Sequence, residues 1–112
     1  MSQITAHILD TTKGRPVAKV PAILWHQHQD EWKEIARGTT DDNGRISAML
    51  PHDKILENGI YKMKFFTREY FDQYSIQTFY PYIEIIFEIS SAEHYHIPLL
   101  VSPFGYTTYR GS

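Results

Sequence analysis

The sequence predicts an all-β protein, a sandwich of two sheets built from about eight short strands. Three observations carry that expectation. Apolar residues recur at every second position in several segments, turn-forming residues separate those segments, and only one stretch has helical spacing. At 112 residues the chain has the size of one domain, expected over residues 1–112. A chain this long hides about two-thirds of its open-chain surface on folding, enough for one apolar core.

The strands come in this order. In Ile4–Leu9 the apolar set is Ile4, Ala6 and Ile8, with Thr5 and His7 on the other face. Val20–Gln27 and Trp32–Thr39 form the next pair. Arg45–Met49 continues into Leu50 with Ile46, Ala48 and Leu50 inward, and Arg45 and Ser47 outward. Gly59–Phe66 alternates Tyr61, Met63 and Phe65 with Lys62 and Lys64. Tyr82–Ile89 has the strongest pattern: Ile83, Ile85, Phe87 and Ile89 share one face, and Glu84 and Glu88 interrupt the other. Tyr95–Leu100 sets Tyr95, Ile97 and Leu99 against His96 and Pro98, with His94 just ahead in the same parity. Tyr106–Arg110 is last. Between them, Lys13-Gly14-Arg15-Pro16, Asp41-Asp42-Asn43-Gly44, Asn58-Gly59 and Ser102-Pro103-Phe104-Gly105 supply turn chemistry. The helical exception is Thr67–Ser75, where Tyr70, Phe71 and Tyr74 recur at helical spacing and Thr67 stands as N-cap. Phe65, Phe66, Phe71, Phe79 and Phe87 are read as core residues.

Composition removes several function classes. Without cysteine there is no disulfide framework, thiolate cluster or cysteine nucleophile. A net charge of −2 without a basic run gives no footprint for nucleic acid or an anionic membrane. No segment has the length of a membrane span. Met1–Asp10 lacks a basic start and an apolar run, and the last residues are not a peroxisomal tail, so a soluble cytoplasmic protein is expected. Phosphate loops, dinucleotide fingerprints and the Gly-x-Ser-x-Gly elbow are missing, which favours activated water over a serine nucleophile.

Parity puts His7, Arg45 and His96, from three strands, on non-core faces. Read blandly, they are surface residues of a wet sheet. The functional alternative is an assembled polar site, where imidazole moves protons near neutral pH and guanidinium holds a planar oxyanion. His26/His28 and His94/His96 have the spacing of paired zinc ligands on a strand, but six histidines make that spacing common by chance. No metal site is assigned.

Two longer motifs add to this. Ala6-His7-Ile8-Leu9-Asp10 followed by Gly14-Arg15-Pro16, and the ending His94-Tyr95-His96-Ile97-Pro98-Leu99-Leu100-Val101-Ser102-Pro103-Phe104-Gly105-Tyr106-Thr107-Thr108-Tyr109-Arg110-Gly111-Ser112, resemble the two signatures of the transthyretin-related 5-hydroxyisourate hydrolases. Thr40–Arg45, Tyr70-Phe71 and Phe79-Tyr80-Pro81 fall where that family has similar segments. The resemblance covers essentially the whole chain, and the closing Tyr-Arg-Gly-Ser separates the enzymes from the hormone-carrying transthyretins. Val17, Val101 and Thr107 depart from the family pattern without removing a polar functional group.

The resemblance implies a transthyretin-like (prealbumin-like) sandwich of four strands per sheet with one short helix. It further implies a homotetramer with active sites at the dimer–dimer interface. The implied reaction is hydrolysis of the six-membered ring of 5-hydroxyisourate to 2-oxo-4-hydroxy-4-carboxy-5-ureidoimidazoline in urate degradation, without metal or redox cofactor. Its catalytic positions match His7, Arg45 and His96, and its substrate-binding positions match His7, Arg45, Tyr109, Arg110, Gly111 and Ser112. Either histidine is a candidate for the general base. The rivals are a small-molecule carrier, a metal-dependent hydrolase using the His-x-His pairs, and an adhesion-type sandwich whose outward histidines are incidental.

Overall fold

The computed structural model describes residues 2–112 as two facing sheets and one short helix. The elements are β1 (Ile4–Asp10), β2 (Arg15–Pro16), β3 (Pro21–His28), β4 (Glu31–Thr39), β5 (Arg45–Ile46), β6 (Gly59–Phe65), α1 (Arg68–Asp72), β7 (Ile83–Ile89), β8 (Tyr95–Ser102) and β9 (Gly105–Thr108). One sheet runs β2-β1-β8-β9, with β5 also paired to β1, and the other runs β4-β3-β6-β7. Every pairing is antiparallel except β1 with β8. This transthyretin-like arrangement has about nine strands rather than about eight. The extra one is β2, a two-residue pairing of Arg15 and Pro16 with the end of β1.

Period-2 residues meet between the sheets. Ile4, Ala6 and Ile8 from β1 and Leu99 from β8 face Leu24, Met63, Phe65, Ile83 and Ile89, all essentially without solvent contact. Burying a large apolar side chain contributes about 1.5–3 kcal/mol, so this layer is the main source of stability. The helix adds Tyr70 and Phe71. Asp10, buried beneath it, accepts hydrogen bonds from the Tyr70 hydroxyl at 2.7 Å and from the Thr12 and Lys13 backbone N–H groups. Burial, reinforced by this carboxylate, raises the Tyr70 phenol far above its ordinary range. No helix among the described residues is long and apolar enough to cross a membrane.

Four local expectations need correction. The fourth expected strand stops at Ile46, and Met49 with Leu50 is buried while Ala48 is exposed. The chain leaves the first sheet there and closes one side of the sandwich, with Ile46 and Met49 against Gly38 of β4. Alternation therefore ends. Buried Ser2 and Gln3 anchor the segment between β5 and β6 by accepting from the Leu50 and Leu56 N–H groups. Second, two phenylalanines expected in the core lie outside it: Phe79 is 70% exposed, its ring edge-on against Tyr80, and Phe66 is half-buried with the Lys64 ammonium over its ring. Third, the helix is shorter than Thr67–Ser75, because Ser75 adopts a positive φ. Fourth, Thr67 occupies the cap position but makes no side-chain cap bond, and its hydroxyl is buried without a partner.

The Asp41–Gly44 turn decides where Arg45 begins. Asp41 accepts from the Asn43 and Arg45 N–H groups, and Gly44 has φ +75°. A Cβ on Gly44 would lie 2.5 Å from the Ile8 carbonyl oxygen, whereas Gly14, with φ +64°, faces open space. Gly14→Ala is therefore expected to cost about 1 kcal/mol, the left-handed backbone penalty alone. Gly44→Ala should cost more than about 2 kcal/mol, since strain and clash add. Urea denaturation measures both, and equal losses would contradict the packing role given to Gly44.

Candidate active site

The outer face of the first sheet gathers the chemistry. Parallel pairing sets Thr5 beside His96 and His7 beside Pro98, and antiparallel pairing on the opposite edge of β1 sets His7 beside Arg45. Because Cβ atoms alternate across a strand, these side chains share a surface with the core layer behind them. The His7 and His96 rings lie 6.4 Å apart between centroids. Beside them Thr5, Ala6, Arg45, Ser47, His94, His96 and Ser112 line a cleft of about 280 Å³.

The chain's end closes this cleft. The Thr108 hydroxyl donates to the Pro98 carbonyl at 2.7 Å, and the Gly111 N–H donates to the His96 carbonyl at 2.9 Å. Gly111 thus lies flat against the imidazole of His96. A Cβ there would come within 2.6 Å of the ring's Cδ2. His7, Arg45, His96, Gly111 and Ser112 are therefore brought together. Tyr109 and Arg110 do not line this cleft; they line a neighbouring hollow with Ile85, Ile86 and Phe87 that His96 also borders, and the Arg110 guanidinium pairs with Glu93 at 2.7 Å while lying over the Tyr95 ring.

Among the described residues no acidic side chain lines the cleft, so its side-chain charge comes from Arg45 and the imidazoles. Burial first, then the nearby His7, His94 and Arg45, lowers the His96 pKa below its ordinary value. The ring is then a neutral, proton-accepting imidazole at neutral pH. Two neighbours stand out on this face: Thr5, to which parity gave no role, and His94, weighed only with His96 as a zinc-ligand pair. The Thr5 hydroxyl lies 2.7 Å from His96 Nδ1 and 2.8 Å from His94 Nε2. Only the parallel register of β1 on β8, invisible in single-strand periodicity, brings them together. The His26/His28 pair lies on the other sheet, where His26 stacks on Tyr61. Among the described residues, no three His, Asp or Glu side chains form a group fit for a metal ion.

Imidazoles and a guanidinium thus share one outer face of a transthyretin-like sandwich. Residues 4–111 match the model of the HIUase/Transthyretin family. The chain belongs to that family. It is 43% identical over 112 residues to a probable 5-hydroxyisourate hydrolase of Schizosaccharomyces pombe, covering 97% of this chain and 90% of that protein. Among solved structures it resembles Klebsiella pneumoniae 5-hydroxyisourate hydrolase (TM-score 0.84, 30% identity, 97% and 98% of the two chains). Sea bream transthyretin in complex with thyroxine is also similar, with TM-score 0.90, 30% identity, and 98% and 95% of the two chains covered.

The lowered pKa of His96 has a definite sign. Its folded value lies below its unfolded one, so the stability linked to the neutral ring is complete above 6.5 and is lost as pH falls through the folded value. An NMR titration of the His96 Cε1–H is expected to give a midpoint below 6.5, and one at or above it would contradict the burial. Gly111→Ala should move the same resonance by displacing the ring; an unmoved signal would show that the terminus does not hold His96.

Proposed function

We propose that this chain is a 5-hydroxyisourate hydrolase in which His7, Arg45, His96 and the terminal residues Tyr109, Arg110, Gly111 and Ser112 form the site. Relatives of nearly the same length bear that enzyme's name. The observation that carries the reading is the convergence of His7, Arg45 and His96 on one outer face beside the chain's end. A planar, anionic cyclic ureide matches such a surface: guanidinium binds its oxygen atoms, and neutral imidazole accepts a proton from water.

In the proposed reaction a histidine takes one proton from water as the oxygen attacks the ring carbonyl next to nitrogen. Negative charge forms on the carbonyl oxygen, where Arg45 stabilises it. The tetrahedral intermediate collapses by breaking the carbon–nitrogen bond, and the departing nitrogen receives the proton from the imidazolium. The products are a carboxylic acid and an open ureide arm, which is the composition of 2-oxo-4-hydroxy-4-carboxy-5-ureidoimidazoline. No cofactor takes part in these steps. Tyr109 and Ser112 orient the ring by hydrogen bonding.

A homotetramer completes the proposal. β7 and β9 end their sheets on the same side of the sandwich and share the hollow lined by Ile85–Glu88 and Thr108–Arg110. A second copy pairing there would extend both sheets and cover Ile86, which is 62% exposed. In this proposed assembly the outer face bearing His7 and Arg45 is left to meet a second dimer, and the sites would lie at that dimer–dimer interface. Residues 1–112 act as a single domain in this reading, supported by one continuous core. The carrier reading draws on the likeness to sea bream transthyretin, but a carrier of apolar ligands has no use for a cleft lined by Arg45, His94 and His96.

Purified protein is expected to accelerate the ultraviolet decay of freshly generated 5-hydroxyisourate, and a rate equal to buffer alone would remove the reading. Arg45→Ala should lower kcat/KM about 100-fold with an unchanged thermal midpoint, and unaltered kinetics would exclude the clamp. Extending the chain beyond Ser112 should reduce kcat/KM about tenfold or more by crowding the cleft; full activity would show the chain end to be idle.

A further inference from the structure

The hydrogen bonds behind His96 separate the two histidines that the reaction scheme leaves equivalent. Among the described residues the His7 ring makes no hydrogen bond within the protomer, in contrast to His96. The His96 ring is held on several sides: Nδ1 lies 2.7 Å from the Thr5 hydroxyl, and Cδ2 and Cγ pack on Gly111. With Nδ1 engaged by Thr5, Nε2 is the ring nitrogen without a partner among the described residues, and His96 lines the cleft. The Thr5 hydroxyl also reaches His94 Nε2 at 2.8 Å, and the His94 and His96 rings are stacked 6.3 Å apart.

A hydroxyl that donates to one ring accepts from the other. In one arrangement His96 Nδ1–H donates to Thr5, Thr5 donates to His94 Nε2, and His96 Nε2 presents a bare lone pair. In the reverse arrangement His96 Nε2 carries a hydrogen. Arg45 lines the same cleft, and its positive charge favours a lone pair over an N–H dipole directed toward it. We propose that Thr5 and His94 are positioning residues that form a proton relay behind His96, holding its Nε2 bare and making His96, not His7, the general base.

The proton count closes. Water gives a proton to His96 Nε2; the Nδ1 proton moves to Thr5 Oγ1 while the Thr5 proton moves to His94 Nε2. His96 is then neutral with Nε2–H, and the charge sits on His94, which lies four residues ahead of the Pro98 that pairs with His7. Return of the charge along the same path frees the Nε2 proton for the departing nitrogen. The titratable and charged groups near His96 are His7 from β1, Arg45 from β5 and His94 ahead of β8. With all three cationic when protonated, charge on His96 is better moved away than kept, which agrees with its lowered pKa.

This inference rests on the hydrolase reading only for its kinetic arm. Imidazole ¹⁵N NMR on the free protein, above the His96 midpoint, should find the Nδ1–H tautomer at His96. Thr5→Val, which keeps the branched shape but removes the hydroxyl, should convert it to Nε2–H, and Thr5→Ser should restore it. In turnover, Thr5→Val is expected to lower kcat about tenfold or more with KM within about twofold, and Thr5→Ser to recover most of it. His94→Gln, whose amide oxygen accepts from Thr5 but cannot take the proton on, should keep the Nδ1–H tautomer yet lower kcat several-fold. An Nε2–H tautomer in the parent protein, or one unaffected by Thr5→Val, overturns the relay. Lack of turnover in the parent protein overturns the hydrolase reading, while the NMR result still decides the arrangement at His96.

Discussion

The parallel pairing of β1 with β8 is the constraint on which the rest of the structure depends. Its register sets Thr5 beside His96 and His7 beside Pro98, joining the first strand to one formed some ninety residues later. A slip of one residue would turn Ile4, Ala6 and Ile8 out of the core and His7 into it. Stability and site geometry are thus fixed by the same register. The apolar face of β1 cannot be buried without its polar face being presented, and the core layer enforces the spacing of the imidazoles.

Around that pairing, two short segments finish the site. The Asp41–Gly44 turn starts Arg45 against His7, because Gly44 alone fits below the Ile8 carbonyl. The last residues fold back over β8, where Gly111 lies against His96 as a flat wall. Both depend on the absence of a side chain at one position. Among the described residues the resulting cleft has a guanidinium, imidazoles and hydroxyls but no acidic side chain, which suits an anionic ring and, with burial, lowers the His96 pKa.

Much of this was legible in the sequence. Alternation located β1, β6, β7 and β8 within a residue or so, since each has one face on the core. The same parity placed His7, Arg45 and His96 outward. Alternation failed where a segment stops belonging to one sheet: after Ile46 the chain crosses between sheets, so Met49 is buried in place of Ala48. Phe79 was misplaced because hydrophobicity does not reveal whether a loop lies over the core or beyond it. Thr5 and His94 had the right parity, yet their meeting through one hydroxyl requires a long-range parallel register that no local pattern encodes. The orientation of Tyr109 and Arg110 toward the β7 side likewise comes from strand neighbours, not from their own sequence.

The most direct measurement is a crystal structure of the assembled protein with a stable, planar, anionic cyclic ureide bound. The ligand is expected between facing protomers, with an oxygen on the Arg45 guanidinium, its ring flanked by the two imidazoles of β1 and β8, and its edge against the chain's last residue. A ligand seated away from Arg45, or those side chains turned to bulk solvent in the assembly, would contradict the account.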